Sequence, residues 1–232
     1  LSFKDLHVVV TGGTGALGRG VVARLLAEGA TCHVPVYDAA ELDSFPDRGH
    51  ARVRTVDGVN VLDEAQVEAF FSEIPSLWGS IHVVGGFSMA PVLDTTASDF
   101  RRMFDLNALS CFLCCREAVR AMRRAPTGTG RIVNVAARPA LLPTGGMIAY
   151  ATSKAAVVAI TQSLAAELRA EGILVNAVAP SVIDTPANRA AMPEADFSRW
   201  PRVDDVSRAV QYLVSRANVL TSGLVMPVFG QA

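Results

Sequence analysis

Short apolar runs alternate along this chain with longer stretches in which apolar residues recur at helical spacing. The first run is His7 to Val10, and Val21, Val22, Leu25 and Leu26 follow at helical spacing up to Gly29. Thr31 to Tyr37, Arg52 to Val56, Ile81 to Val84, Arg131 to Val135, Ile173 to Ala179 and Leu224 to Phe229 read as further strands. Asp63 is placed to cap a helix over Glu64 to Ile74. Phe100, Met103, Phe104, Leu106, Leu109, Phe112, Leu113, Cys115, Val119 and Met122 mark a long helix over Ser98 to Arg124. Further helices are expected over Tyr150 to Ala170 and Asp204 to Ser215, with a loop-rich segment from Pro180 to Pro201 between them. Strands that alternate with helices predict an α/β fold: a doubly wound, mostly parallel sheet, helices on both faces, ligands at the strand carboxyl ends. No repeat or linker divides the 232 residues, so a single domain is expected over 1–232.

Composition narrows the function. Half the residues are hydrophobic and the net charge is −1, which gives no reason to expect a nucleic-acid partner. No apolar run approaches the ~20 residues of a membrane span. No basic region followed by an apolar core opens the chain, so no signal peptide is expected there. Cys111, Cys114 and Cys115 cluster on the long apolar helix, and the fourth cysteine is Cys32. No second Cys or His pair lies nearby in sequence, so buried small side chains and no metal are expected, in a reducing cytoplasm.

The candidate chemistry begins at Thr11-Gly12-Gly13-Thr14-Gly15-Ala16-Leu17-Gly18, between the first strand and the first helix. Glycines there let the backbone approach a pyrophosphate, and the free N–H groups of the helix start face the anion. At the end of the second strand an acid would select NAD through the ribose 2′-OH. The counted position is Val36, with Asp38 two beyond. No Lys or Arg stands there for a 2′-phosphate, and Arg19 reads as a solvated helix residue, so NAD against NADP stays open. Gly85-Gly86 after the fourth strand allows close approach of a ligand or makes an ordinary tight loop. Asn107, amid apolar residues, must satisfy its amide. Tyr150 and Lys154 share one helix face a turn apart, where an ammonium can lower the phenol pKa and ready it as a proton donor.

Together the Thr11–Gly18 turn, Asn107, Tyr150 with Lys154, and Val175-Asn176-Ala177-Val178-Ala179-Pro180 resemble the short-chain dehydrogenase/reductase family over essentially the whole chain. The resemblance implies a Rossmann-type domain, NAD(H) or NADP(H), a small-molecule substrate, and homodimers or homotetramers. It implies Tyr150 as general acid/base, Lys154 on the nicotinamide ribose, and Asn107 holding a relay water that links Lys154 to solvent. The dinucleotide site it implies draws on Gly12, Thr14, Gly15, Ala16, Leu17 and Gly18, on Tyr37, Asn60 and Val61, and on Val84, Gly85, Gly86 and Ala136. Tyr150, Lys154, Pro180, Ser181, Val182, Ile183 and Thr185 complete it.

Three positions depart from the family pattern. Its middle turn glycine falls on Ala16, its Asn-Asn-Ala-Gly segment is replaced by His82-Val83-Val84-Gly85, and its carbonyl-binding Ser falls on Ala137. A missing oxyanion donor costs about 3 kcal/mol in an enzyme that relies on one. Several segments are similar to dihydropteridine reductases, notably Val84-Gly85-Gly86-Phe87, Gly146-Met147-Ile148-Ala149-Tyr150 and Met192 to Trp200. That branch also has Ala in place of Ser, and it reduces quinonoid dihydropterins. The expected function is hydride transfer to a conjugated carbonyl, imine or quinonoid substrate, with Tyr150 as proton donor. Phe87, Ala137, Arg138, Met147 and Trp200 are the expected substrate contacts, with Met89 a further candidate wall. The alternatives are a generic ketone/alcohol enzyme of the same family and a dinucleotide-binding protein with little turnover.

Overall fold

The structure, a computed structural model, describes residues 1–231. Seven strands form one sheet: β1 (His7–Thr11), β2 (Thr31–Val36), β3 (Val53–Asp57), β4 (Leu77–His82), β5 (Gly130–Val135), β6 (Ile173–Pro180) and β7 (Val225–Val228). The order is β3-β2-β1-β4-β5-β6-β7, and every pairing is parallel. The chain winds outward from β1 in one direction and from β4 in the other. The crevice between the ends of β1 and β4 is therefore the switch point where such sheets take ligands.

Eight helices join the strands: α1 (Ala16–Ala27), α2 (Glu64–Ser72), α3 (Ala97–Phe104), α4 (Ser110–Arg124), α5 (Arg138–Leu141), α6 (Ile148–Leu168), α7 (Pro186–Ala191) and α8 (Val203–Val214). Alternation along the strands sorts their side chains onto two faces. Val8 and Val10 pack with Val21, Leu25, Val206, Val210 and Val214 of α1 and α8. Val9, Ile132 and Val175 pack with Phe71, Leu113, Met122, Val157 and Leu168 of α2, α4 and α6. Each such side chain, once buried, contributes about 1.5–3 kcal/mol.

Three expectations need correction. The fourth strand starts at Leu77 and ends at His82, not over Ile81 to Val84. Gly79 and Ser80 look like breakers in sequence. Gly79 is needed because a Cβ there would stand 2.6 Å from a Val214 methyl. The long helix is not continuous: a π-helical turn, Asp105–Leu109, separates α3 from α4. The Pro180 to Pro201 segment carries α7, whose cap is Thr185: its hydroxyl accepts the Asn188 N–H at 3.2 Å.

Candidate active site

The turn after β1 is shaped by two glycines. Gly12 has φ 66°, and a Cβ on it would lie 3.0 Å from the Val84 nitrogen. A Cβ on Gly18 would lie 2.0 Å from the Gly12 carbonyl oxygen. The turn thus closes against the start of α1, where Gly15 is the N-cap and supplies no side-chain cap. The first N–H groups of this twelve-residue helix are left for an anion, and exposed Gly15 and Ala16 flank them. Thr14 and Leu17 are buried. The Thr14 hydroxyl donates to Glu41, and Leu17 packs in the core, so what these two can offer a ligand is backbone. A dinucleotide pyrophosphate fits this cradle.

Arg19 is not the solvated residue the sequence suggests. Its guanidinium donates to the Thr14 carbonyl and to Ser44 Oγ, the latter at 2.7 Å, and ties the turn to the segment after β2. Val36 is buried and Tyr37 is exposed. Asp38 accepts the Ala40 N–H at 3.0 Å and caps a 3-10 turn over Ala39–Ser44. The acid against the glycine turn is Glu41, which sequence reasoning missed because it lies in that turn and not at the strand end. Asn60 and Val61 lie in the turn into α2: Asn60 Oδ1 accepts the Leu62 N–H at 3.0 Å, and Val61 packs against the α2 layer.

At the other side of the switch point, Gly85 and Gly86 follow β4. A Cβ on Gly85 would stand 2.5 Å from Asn107 Oδ1 and 3.1 Å from Lys154 Nζ. Only glycine lets the loop pass this close to both side chains. The π-turn directs Asn107 inward. Its Oδ1 accepts the Gly86 N–H at 3.0 Å, and its Nδ2 donates to the Gly86 carbonyl at 3.1 Å and to Ser153 Oγ at 3.0 Å. Asn107 therefore locks the loop to α6.

Lys154 is buried, and its ammonium donates to the Val135 carbonyl at 2.8 Å. Burial pulls its pKa down from 10.5 to about 8, opposed by nearby Cys111. Tyr150 sits half-buried with Phe87 edge-on to its ring, centroids 5.0 Å apart. The expected lowering of its pKa is absent. Burial raises it from 10.0 to about 12, because the phenolate loses water. The Tyr150 phenol is a neutral donor at pH 7.

Ala136 and Ala137 follow β5, and both are buried. Ala137 leaves a methyl where a hydroxyl donor would stand. Pro180 ends β6, and the Ser181 hydroxyl donates to the Phe229 carbonyl at 2.7 Å. Val182 and Ile183 are half-buried, and the Ile183 carbonyl accepts the Asn188 amide at 2.8 Å. Met147 and Met89 line a cleft of about 230 Å³ with Ser88, Asp99 and Ile148. The guanidinium of Arg138 stacks on Phe229 at 5.5 Å. Trp200 departs from expectation: it is only 9% exposed and packs on Phe197, which leaves little of its ring for a substrate.

The comparisons agree with this geometry. The family described as short chain dehydrogenase matches residues 6–196. Levodione reductase of Leifsonia aquatica is 30% identical, with 98% of this chain and 94% of the relative covered. Cis-4-hydroxycyclohexanecarboxylate dehydrogenase of Sinomonas cyclohexanicum is 32% identical over 99% and 97%. A short-chain type dehydrogenase/reductase from Mycobacterium ulcerans superposes with a TM-score of 0.90 at 27% identity, covering 100% of this chain and 90% of that one. The chain belongs to the short chain dehydrogenase family. It is an oxidoreductase of that class, and its cofactor is NAD(H) or NADP(H).

Proposed function

We propose that this enzyme reduces a conjugated carbonyl, imine or quinonoid substrate, with Tyr150 as proton donor. A nicotinamide dinucleotide would supply the hydride. Tyr150, neutral because burial raises its pKa to about 12, gives its proton to the reduced oxygen or nitrogen. Lys154 would hold the nicotinamide ribose, and Asn107 keeps Gly85-Gly86 against α6 so that the loop and Lys154 stay in register. The turn from Gly12 to Gly18 would seat the pyrophosphate. Phe87, Met147 and Arg138 would face the substrate.

Ala137 carries the substrate class. A ketone with isolated charge on oxygen needs a second donor beside the tyrosine, worth about 3 kcal/mol. A conjugated acceptor spreads the arriving charge and tolerates the buried methyl. A second reading is a ring alcohol or ketone without conjugation, and the names of the two relatives favour it. Ala137→Ser separates the two. On the conjugated reading it raises kcat/KM for a saturated cyclic ketone about tenfold or more and leaves a quinonoid dihydropterin within about twofold. Wild-type turnover of the saturated ketone at the higher rate would sink that reading.

The enzyme is further proposed to be a single-domain homodimer or homotetramer. One sheet spanning His7 to Val228 supports the first part. Phe100, Phe104, Leu109 and Phe112, along α3, the π-turn and α4, are 36–43% exposed and support the second. A cytoplasmic setting is supported by four free, buried cysteines. No helix among the described residues is long and apolar enough to cross a membrane.

A further inference from the structure

A buried cluster beneath Lys154 takes no part in this reaction. His82 ends β4, Asn134 pairs with it across β5, and Cys111 and Cys115 face them one turn apart on α4. None of the four is more than 5% exposed. Cys115 Sγ lies 3.4 Å from His82 Nδ1, 3.4 Å from Asn134 Oδ1 and 4.0 Å from Cys111 Sγ. The ligand atoms of His82, Cys111 and Cys115 all lie within 4.8 Å of one another. The sequence conceals this set, because His82 reaches the two cysteines only through the sheet.

The three spacings from Cys115 Sγ match edges of a tetrahedron around a metal. Bonds of about 2.3 Å to sulfur and about 2.0 Å to nitrogen set S···S near 3.8 Å and S···N near 3.5 Å. The observed S···S edge is 4.0 Å and the edges from Cys115 Sγ to Nδ1 and Oδ1 are 3.4 Å, while the Nδ1···Oδ1 edge is a 2.8 Å hydrogen bond that has to open by about 0.5 Å to admit the ion. The donor set is soft, which selects zinc and its neighbours over magnesium or calcium. His82 Nε2 is 2.8 Å from Ser80 Oγ, so the ring orientation is already fixed from behind, as ligating histidines require.

We propose that His82, Cys111 and Cys115, with Asn134 Oδ1 as fourth ligand, form a buried structural site for a tetrahedral soft cation such as zinc. Binding forms two metal–sulfur bonds, one to Nδ1 and one to Oδ1. It releases the two thiol protons, and the His82 proton moves to Nε2, where Ser80 Oγ accepts it. A divalent cation with two thiolates is neutral, so no unpaired charge is added beside Lys154. The ion pins α4 to β4 and β5 directly under the candidate active site. Without it the same groups close a neutral chain, in which His82 Nδ1 donates to Asn134 Oδ1 at 2.8 Å and Asn134 Nδ2 to Thr161 Oγ1 at 2.9 Å.

The test is metal content. The full chain is expressed in medium supplemented with zinc, and separately with cobalt, then passed through a desalting column. One equivalent of zinc per chain is expected. Cobalt-loaded protein should show thiolate-to-cobalt absorption and the strong visible bands of tetrahedral Co(II). Both should be lost in Cys111→Ser/Cys115→Ser and kept in Cys114→Ser. Wild-type protein without stoichiometric metal and without those bands overturns the proposal, whatever the variants do. Bands that persist in the double variant overturn it equally.

Discussion

Lys154 Nζ donates to the carbonyl of Val135 at 2.8 Å and so holds the start of α6 against the end of β5. The bond keeps a charge in a place that water does not reach, and the depressed Lys154 pKa follows from that.

The depressed value has a signature in stability. Between pH 8 and 10.5 the unfolded chain keeps a proton that folded Lys154 has released. Stability therefore rises with pH across this window, by up to about 3 kcal/mol from this group. Tyr150 and the buried Cys32 act in the opposite sense above pH 9 to 10, because their folded pKa values are raised to about 12. The contribution is isolated by subtracting Lys154→Met from wild type in urea melts. Lys154→Met is expected to be the more stable at pH 7, and its lead should shrink towards pH 10. A lead that stays constant with pH would exclude a strained buried ammonium.

Gly18→Ala is expected to weaken NADH or NADPH binding by about 100-fold and to cost about 1–3 kcal/mol of stability, because the added methyl overlaps the Gly12 carbonyl. Fluorescence titration and a thermal melt read the two effects. An unchanged Kd would remove the Gly12–Gly18 turn from the dinucleotide site.

Phe112→Glu places a charge on the exposed apolar stripe of α3 and α4. Light scattering should show a dimer or tetramer for wild type and a monomer for the variant. A monomeric wild type at micromolar concentration would dispose of the proposed interface.

Much of the sheet was legible because apolar runs and helical spacing report burial directly. β4 was displaced because its Gly79 and Ser80 serve tight packing, which resembles a break when read along the chain. The π-turn at Asp105–Leu109 left no trace, since one extra residue in a turn changes no residue type. The Tyr150–Lys154 spacing was visible, yet the direction of the Tyr150 shift was not. It depends on how far the fold buries the phenol, which Phe87 from the loop after β4 helps to do. The same holds for Glu41 at the glycine turn and for His82 beside Cys111 and Cys115: each meets its partner through the fold.

The most direct test of the central claim is steady-state oxidation of NADH or NADPH with a quinonoid dihydropterin, wild type against Tyr150→Phe. Loss of the neutral phenol should lower kcat by about 1,000-fold while the dinucleotide Kd stays within about threefold. Tyr150 should add no pH dependence between pH 6 and 9, since the phenol keeps its proton there, and a change near pH 8 should follow Lys154 and vanish in Lys154→Met. Full activity in Tyr150→Phe would contradict Tyr150 as the proton donor.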